Sequence, residues 1–93
     1  MLDTEEIERL TENKIELLLD LIRKVWWHAE DGVVLKKRGR TIYFQLHTFG
    51  WSDNEEIIEQ LRKTSFWTRY WIMTKRGGHY YFQIKLPKAS RNL

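Results

Sequence analysis

The spacing of hydrophobic residues divides the chain into helical and extended segments. Between residues 4 and 28 apolar side chains recur every three or four positions, which predicts one helix opened by a capping box at Asp3 and Glu6. From Val33 onwards the period shortens, and residues 33–49 predict two strands about a basic turn that contains glycine. A second helix is predicted over residues 52–64, with a capping box at Ser52 and Glu55, and a second hairpin over residues 66–86.

A repeated segment groups these elements into two similar units. Residues 36–47 read KKRGRTIYFQLH, and residues 74–85, thirty-eight positions later, read TKRGGHYYFQIK. We interpret the chain as two αββ repeats, at about residues 4–49 and 52–87, in one domain of residues 1–93 with a flexible tail over residues 88–93. The expected fold class is α+β: an αββαββ order that forms a four-stranded, mainly antiparallel sheet with two helices on one face.

Composition limits the chemistry that this fold can support. The chain has no cysteine, so it can form neither a disulfide nor a Cys-based metal site, and no cofactor or metal is expected. The acidic start does not resemble a secretory signal, and no apolar run is long enough to cross a membrane. We therefore expect a soluble, cytoplasmic protein without a membrane partner.

Charge is distributed unevenly along the chain. Residues 1–31 hold 4 bases and 9 acids, whereas residues 32–93 hold 12 bases and 4 acids. All four acids of the second part lie within the predicted helix at residues 52–64, so the positive charge is concentrated on the strands and turns. Such an asymmetry indicates a polyanionic partner on one side of the molecule.

Strand alternation predicts which side chains the sheet presents to such a partner. Ile42, Phe44 and Leu46 share one face with the equivalent positions of the second unit and are expected beneath the helices. The opposite face would carry aromatic rings that stack on unpaired bases, while the turns would bind phosphates. On duplex DNA or RNA, the two turns could instead straddle a groove, with amide and imidazole side chains contacting base edges. The predicted nucleic-acid-binding residues are Lys36, Lys37, Arg38, Arg40, Tyr43, Gln45, His47, Trp67, Arg69, Trp71, Lys75, Arg76, Tyr81, Gln83 and Lys85.

The tryptophans also support a different interpretation. Trp26, Trp27, Phe49 and Trp51 could anchor a protein partner, since aromatic residues dominate interface hot spots. This alternative describes an adaptor or inhibitor, or a homodimer.

Two family resemblances accompany these patterns. The helix-hairpin-helix-hairpin order, with HAEDGVVL at residues 28–35, is similar to one half of a LAGLIDADG homing endonuclease, which implies DNA binding by a sheet face. Residues 57–87 resemble the core of HicA-type toxins, which are small ribonucleases of double-stranded-RNA-binding fold. That resemblance aligns Gly77, Gly78 and His79 with the family's glycine, small residue and catalytic histidine, which makes His79 a candidate catalytic residue.

These observations favour a small, non-catalytic nucleic-acid-binding protein. A regulator or accessory factor of a virus, plasmid or compact genome fits a chain of this size. A protein-binding adaptor is the alternative, and a ribonuclease that uses His79 is a third.

Overall fold

The computed structural model describes residues 2–87. It shows an α+β fold in which helices and strands mix along the chain. The helices are α1 (Thr4–Asn13), α2 (Ile15–Val25), α3 (Ala29–Gly32), α4 (Ser52–Arg62) and α5 (Ser65–Tyr70). The strands are β1 (Val33–Arg38), β2 (Thr41–His47), β3 (Trp71–Lys75) and β4 (His79–Lys85). The proposed tail at residues 88–93 lies outside the described residues.

The four strands form one sheet in the order β1-β2-β4-β3, and every neighbouring pair is antiparallel. At the centre of the sheet Phe44 of β2 pairs with Phe82 of β4. Thr41 pairs with Lys85 at one end of these strands and His47 pairs with His79 at the other. Because each hairpin turn adjoins a different end, the two basic turns lie at opposite ends of the sheet, roughly 20 Å apart along the strands.

One face of the sheet forms the hydrophobic core with the helices. The positions that alternation assigned to this face are buried in both central strands, which confirms that part of the prediction. They are Ile42, Phe44, Leu46, Tyr80, Phe82 and Ile84. The helices cover them with side chains that include Leu18, Ile22, Ile58, Leu61 and Phe66.

The predicted helix over residues 4–28 is wrong, because the chain forms two helices that meet at Lys14. Lys14 has φ −148° and ψ 70°, outside the helical region. Just before it, the Thr11 hydroxyl donates to the Ile7 carbonyl and the Asn13 amide donates to the Arg9 carbonyl. Side chains that bond to the backbone in this way compete with helix continuation. The Asp3 cap is confirmed, because its carboxylate accepts from the Glu6 amide.

The predicted strand at residues 66–74 is also wrong in its first half. Residues 65–70 form α5, and β3 begins only at Trp71. The cause is a contact from α1: the Glu8 carboxylate accepts hydrogen bonds from the backbone amide and the hydroxyl of Ser65. These bonds satisfy the free donors of the α5 N-terminus and lower the pKa of Glu8. A local sequence rich in aromatic residues is thus held helical by a tertiary contact.

The second predicted capping box does not form. Trp51 is the residue that precedes α4, and Ser52 already lies within the helix. Glu55 instead accepts a hydrogen bond from the Thr48 hydroxyl at 2.7 Å. None of the helices within residues 2–87 is long and apolar enough to span a bilayer.

Candidate nucleic-acid interface

The face of the sheet opposite the core is uncovered within residues 2–87. Its side chains are exposed or half-buried, in contrast to the fully buried positions that alternate with them. We call this surface the open face. It carries Lys36 and Arg38 of β1, Tyr43, Gln45 and His47 of β2, Lys75 of β3, and His79, Tyr81, Gln83 and Lys85 of β4.

Two tyrosines stand at the middle of the open face. Tyr43 lies opposite Gln83, and Gln45 lies opposite Tyr81, so the two Tyr-x-Gln segments run antiparallel beside each other. The Tyr43 residue is 38% exposed and Tyr81 is half-buried. The Lys75 ammonium lies 5.7 Å from the Tyr81 ring centroid, which is a cation–π distance. Ring faces and cations therefore alternate across the surface.

Charge separates the sheet from the helices. The strands and their two turns contain seven Lys or Arg and no Asp or Glu. All thirteen acids of the chain lie in α1 to α4 or in the residue that caps α1, and these four helices contain only four bases. Lys14 and Lys63 lie directly after α1 and α4, and α5 contains Arg69. The sheet therefore faces solvent with a positive surface, and the helical layer with a negative one.

Four predicted site residues do not reach the open face. Lys37 pairs with Ile42 in the register and so points to the helix side, where its ammonium lies 3.7 Å from the Glu16 carboxylate. Arg69 lies on α5 and pairs with Glu12 at 3.0 Å. The prediction that Arg69, Trp67 and Trp71 join the open face is therefore wrong. Lys37, which the sequence assigned to the basic turn, lies within β1 and points to the helix side.

Trp67 and Trp71 lie on the helix side of the sheet, where their rings stack at 6.1 Å with 13° between their planes. Trp67 also meets the core ring of Phe82 edge to face at 5.3 Å. The Arg62 guanidinium covers the Trp67 ring at 4.7 Å. Trp67 thus packs against the core near the β3 edge, whereas Trp71 is 42% exposed on the same side of the sheet.

The two hairpin turns hold the remaining predicted cations. Arg40 follows Gly39 in the first turn, and Arg76 precedes Gly77 in the second, and both arginines are exposed. The sequence suggested two matching basic turns, at residues 36–40 and 75–78. The first turn is shorter, because Lys36, Lys37 and Arg38 belong to edge strand β1. The positive charge therefore runs along the β1 edge as well as at the turns.

A histidine pair at the β4 start was not expected from the sequence. The Nδ1 atoms of His47 and His79 lie 2.7 Å apart, and the Nε2 atom of His47 lies 3.1 Å from Gln45 Oε1. Burial, followed by the charge of His79, lowers the pKa of His47. Antiparallel pairing of the two repeated segments at Phe44 and Phe82 could have revealed the pair. His47 lies three residues after Phe44 and His79 three residues before Phe82, so this register places the two histidines opposite each other.

A second surface lies near this end of the sheet. Trp27, Phe49 and Trp51 are exposed and pack edge to face, with ring centroids 5.4 Å apart for Trp27–Trp51 and 5.8 Å for Phe49–Trp51. We call these three residues the aromatic cluster. Trp26, which the sequence grouped with them, is buried and donates from its indole nitrogen to the His47 carbonyl at 3.2 Å. It is a core residue, so its assignment as a partner anchor is wrong.

Comparison of this chain with protein-family models, with curated proteins and with solved structures finds no match. Neither of the two family resemblances gains support from these comparisons. The function of the open face is therefore argued from its own geometry and charge.

Proposed function

We propose that this protein binds single-stranded nucleic acid across the open face, without catalysing a reaction. The observation that carries the proposal is the composition of that face: two central tyrosines surrounded by cations, on a sheet whose strands and turns contain no acid. Stacking of a base on an aromatic side chain contributes about 1–3 kcal/mol and requires an unpaired base. Lys and Arg around the rings would bind the phosphates between stacked bases.

The positions of the turns favour an unpaired strand over a duplex. A strand that crosses the open face along β2 and β4 would meet Arg40 at one end and Arg76 at the other, with Tyr43 and Tyr81 between them. The two turns lie at opposite ends of the central strands, so they are not placed side by side to enter a single groove. Stacking on the tyrosines also requires bases that are not paired.

We also propose that the sheet derives from two copies of one unit. The support is an offset of thirty-eight residues that relates β1 to β3 and β2 to β4, and that aligns Phe44 with Phe82, which are partners in the register. A face built from two such units has an approximate two-fold axis through this pair of phenylalanines. A nucleic-acid strand has a direction, from 5′ to 3′, and therefore lacks this two-fold symmetry. It would contact equivalent residues of the two units differently.

A non-catalytic role fits the histidine pair better than ribonuclease chemistry does. Acid–base cleavage requires two groups placed to exchange protons with the substrate. In this protein His47 and His79 contact each other, and His47 also contacts Gln45. The side chain that orients His47 is the Gln45 amide rather than a carboxylate, and the nearby Glu55 carboxylate is engaged with the Thr48 hydroxyl.

Charge reversal tests the proposal. We expect that replacing Lys36, Arg38 and Lys75 with Glu weakens binding to a fluorescent single-stranded oligonucleotide on the order of 100-fold at ~50 mM salt. The matched control replaces Lys14, Arg23 and Lys63, which are exposed cations of the helical layer, and changes the net charge equally. Fluorescence anisotropy measures both. Equal losses in the two variants would contradict recognition by the open face.

The aromatic cluster supports the alternative function, a protein-binding adaptor or a homodimer. Trp27 is 54% exposed and Phe49 47%, and large exposed aromatic residues that contact one another are typical of interface hot spots. The cluster contains no cation, so charge reversal on the sheet leaves it intact. A wild-type protein that binds no oligonucleotide, and sediments as a dimer that Trp51→Ala dissociates, would favour this alternative.

A further inference from the structure

The pair of histidines at the end of β2 and β4 has the geometry of a two-nitrogen ligand. His47 and His79 are direct partners in the antiparallel register, and both are half-buried. Their ring centroids lie 5.0 Å apart and their Nδ1 atoms 2.7 Å apart. The central strands of the sheet, rather than a mobile loop, therefore hold the two nitrogens close together.

The third side chain of the group fixes which nitrogen of His47 is free. Gln45 Oε1 lies 3.1 Å from His47 Nε2. An amide oxygen only accepts hydrogen bonds, so Nε2 carries the hydrogen and Nδ1 presents its lone pair towards His79. Metal-binding histidines are oriented in the same way, by donation from the far nitrogen to a carbonyl or carboxylate oxygen.

Without a metal ion, a single hydrogen occupies the space between the rings. From the His47 tautomer inferred from Gln45, we assign this hydrogen to Nδ1 of His79, which then donates to Nδ1 of His47. An imidazole binds a metal ion through a ring nitrogen that carries no hydrogen.

We propose that His47 and His79 bind a divalent transition-metal ion such as Zn²⁺ through their Nδ1 atoms. The ion replaces the shared hydrogen, which moves through water to Nε2 of His79, so both rings stay neutral. Zn–N bonds of about 2.0–2.1 Å in tetrahedral geometry require roughly 3.3 Å between the two nitrogens, so the rings need to separate by about 0.6 Å. Water would occupy the other coordination positions, on the open face.

The neighbouring groups select the class of ion. The residues that face the pair are Gln45 on β2, Lys75 on β3, which is paired with His79, and Tyr81 on β4. The nearby Glu55 carboxylate is engaged with the Thr48 hydroxyl. Imidazole ligands without carboxylates suit Zn²⁺, Ni²⁺ and Cu²⁺ and are poor ligands for Mg²⁺ and Ca²⁺. The proposal does not depend on nucleic-acid binding.

Isothermal titration of the whole chain with Zn²⁺ at about pH 7.5 tests the proposal. We expect one site, whose affinity falls at least about tenfold in His47→Gln and in His79→Gln. His79→Cys should keep Zn²⁺ binding, because thiolate is also a ligand for this ion. The affinity of the wild type should fall as the pH decreases, since protons compete for the same nitrogens.

His28→Gln is the matched control. His28, Glu30 and Asp31 form an exposed group whose ligand atoms all lie within 4.8 Å, so they are the competing site for the same ion. We expect His28→Gln to leave the affinity unchanged, and circular dichroism to show that all four variants are folded. Absence of Zn²⁺ binding by the wild type, or binding that is lost in His28→Gln and kept in His47→Gln and His79→Gln, would overturn the proposal.

Discussion

Replacing Phe82 with alanine is expected to lower the free energy of unfolding by about 3–5 kcal/mol. Phe82 is 1% exposed and lies at the centre of the sheet. Its ring contacts those of Phe66 at 5.1 Å, Trp67 at 5.3 Å and Phe44 at 6.1 Å. Its removal leaves a cavity where α5 meets both central strands. Because a domain is stabilised by only about 5–15 kcal/mol in total, this loss would remove a large fraction of the stability.

Urea denaturation followed by circular dichroism measures the loss, and Phe49→Ala is the control. Phe49 is 47% exposed and belongs to the aromatic cluster, so its removal leaves no cavity in the core. We expect the control to change stability by less than about 1 kcal/mol. Similar losses for the two variants would contradict the assignment of Phe82 to the centre of the core.

Replacing Gly78 with alanine is expected to cost about 2–4 kcal/mol, for two independent reasons. The residue has φ +80°, which an L-amino acid rarely adopts. A Cβ atom at this position would clash with Thr48 Oγ1, which is held by its hydrogen bond to Glu55. The Gly78 carbonyl also accepts from the Thr48 amide at 3.0 Å, so the turn cannot move away without losing that bond.

Gly39→Ala separates these two causes. Gly39 occupies the other hairpin turn with φ +59°, and a Cβ atom there would meet nothing within 4 Å. We expect it to cost only the conformational strain, about 1–2 kcal/mol. The cost of Gly78→Ala should decrease in a Thr48→Ala background, where the obstructing hydroxyl is absent. Equal costs for the two glycines, with no effect of Thr48→Ala, would show that the contact with Thr48 is unimportant.

This role of Gly78 bears on the resemblance to the ribonuclease toxins. The sequence aligned Gly77, Gly78 and His79 with a catalytic motif. The structure gives Gly78 a sufficient reason to be glycine, because Thr48 closes the space beside it. The second glycine of the motif therefore needs no catalytic explanation.

Much of the fold could be predicted because its strongest signal is local. The alternation of large apolar and polar side chains correctly identified the buried face of β2 and β4, from Ile42 to Ile84. Two hairpins followed from glycine and the basic turn residues in the same way. These features depend on neighbours two to five residues apart, which a sequence displays directly.

The errors arose where distant residues determine the local structure. Trp67 and Arg69 lie in a segment whose pattern of side chains is typical of a strand. The segment is helical, and its first residue, Ser65, donates to Glu8, which is fifty-seven residues away in the sequence. Strand order decided a further point: only the pairing of β2 with β4 brings His47 to His79. Lys37 was misplaced because β1 extends to Arg38, so alternation turned this lysine towards Glu16.

The charge pattern was predictable in sign and only partly in position. The sequence placed the excess of bases on the strands and turns. These segments do contain seven bases and no acid. It did not predict that the turns would lie at opposite ends of the sheet, which follows from the antiparallel pairing of β2 with β4. The sequence left single-stranded and duplex ligands open, and we propose a single strand along the sheet because the two turns lie at its opposite ends.

Mapping an unpaired oligonucleotide onto the protein by NMR tests the central proposal most directly. Two-dimensional ¹H–¹⁵N spectra recorded at ~50 mM salt, during titration with a short single-stranded RNA or DNA, report every backbone amide at once. We predict that the largest shifts lie in β2, β4 and the two turns, with Tyr43 and Tyr81 at their centre, and that they diminish as salt is added. Shifts confined to the helical layer or to the aromatic cluster, or no shifts at all, would contradict binding by the open face.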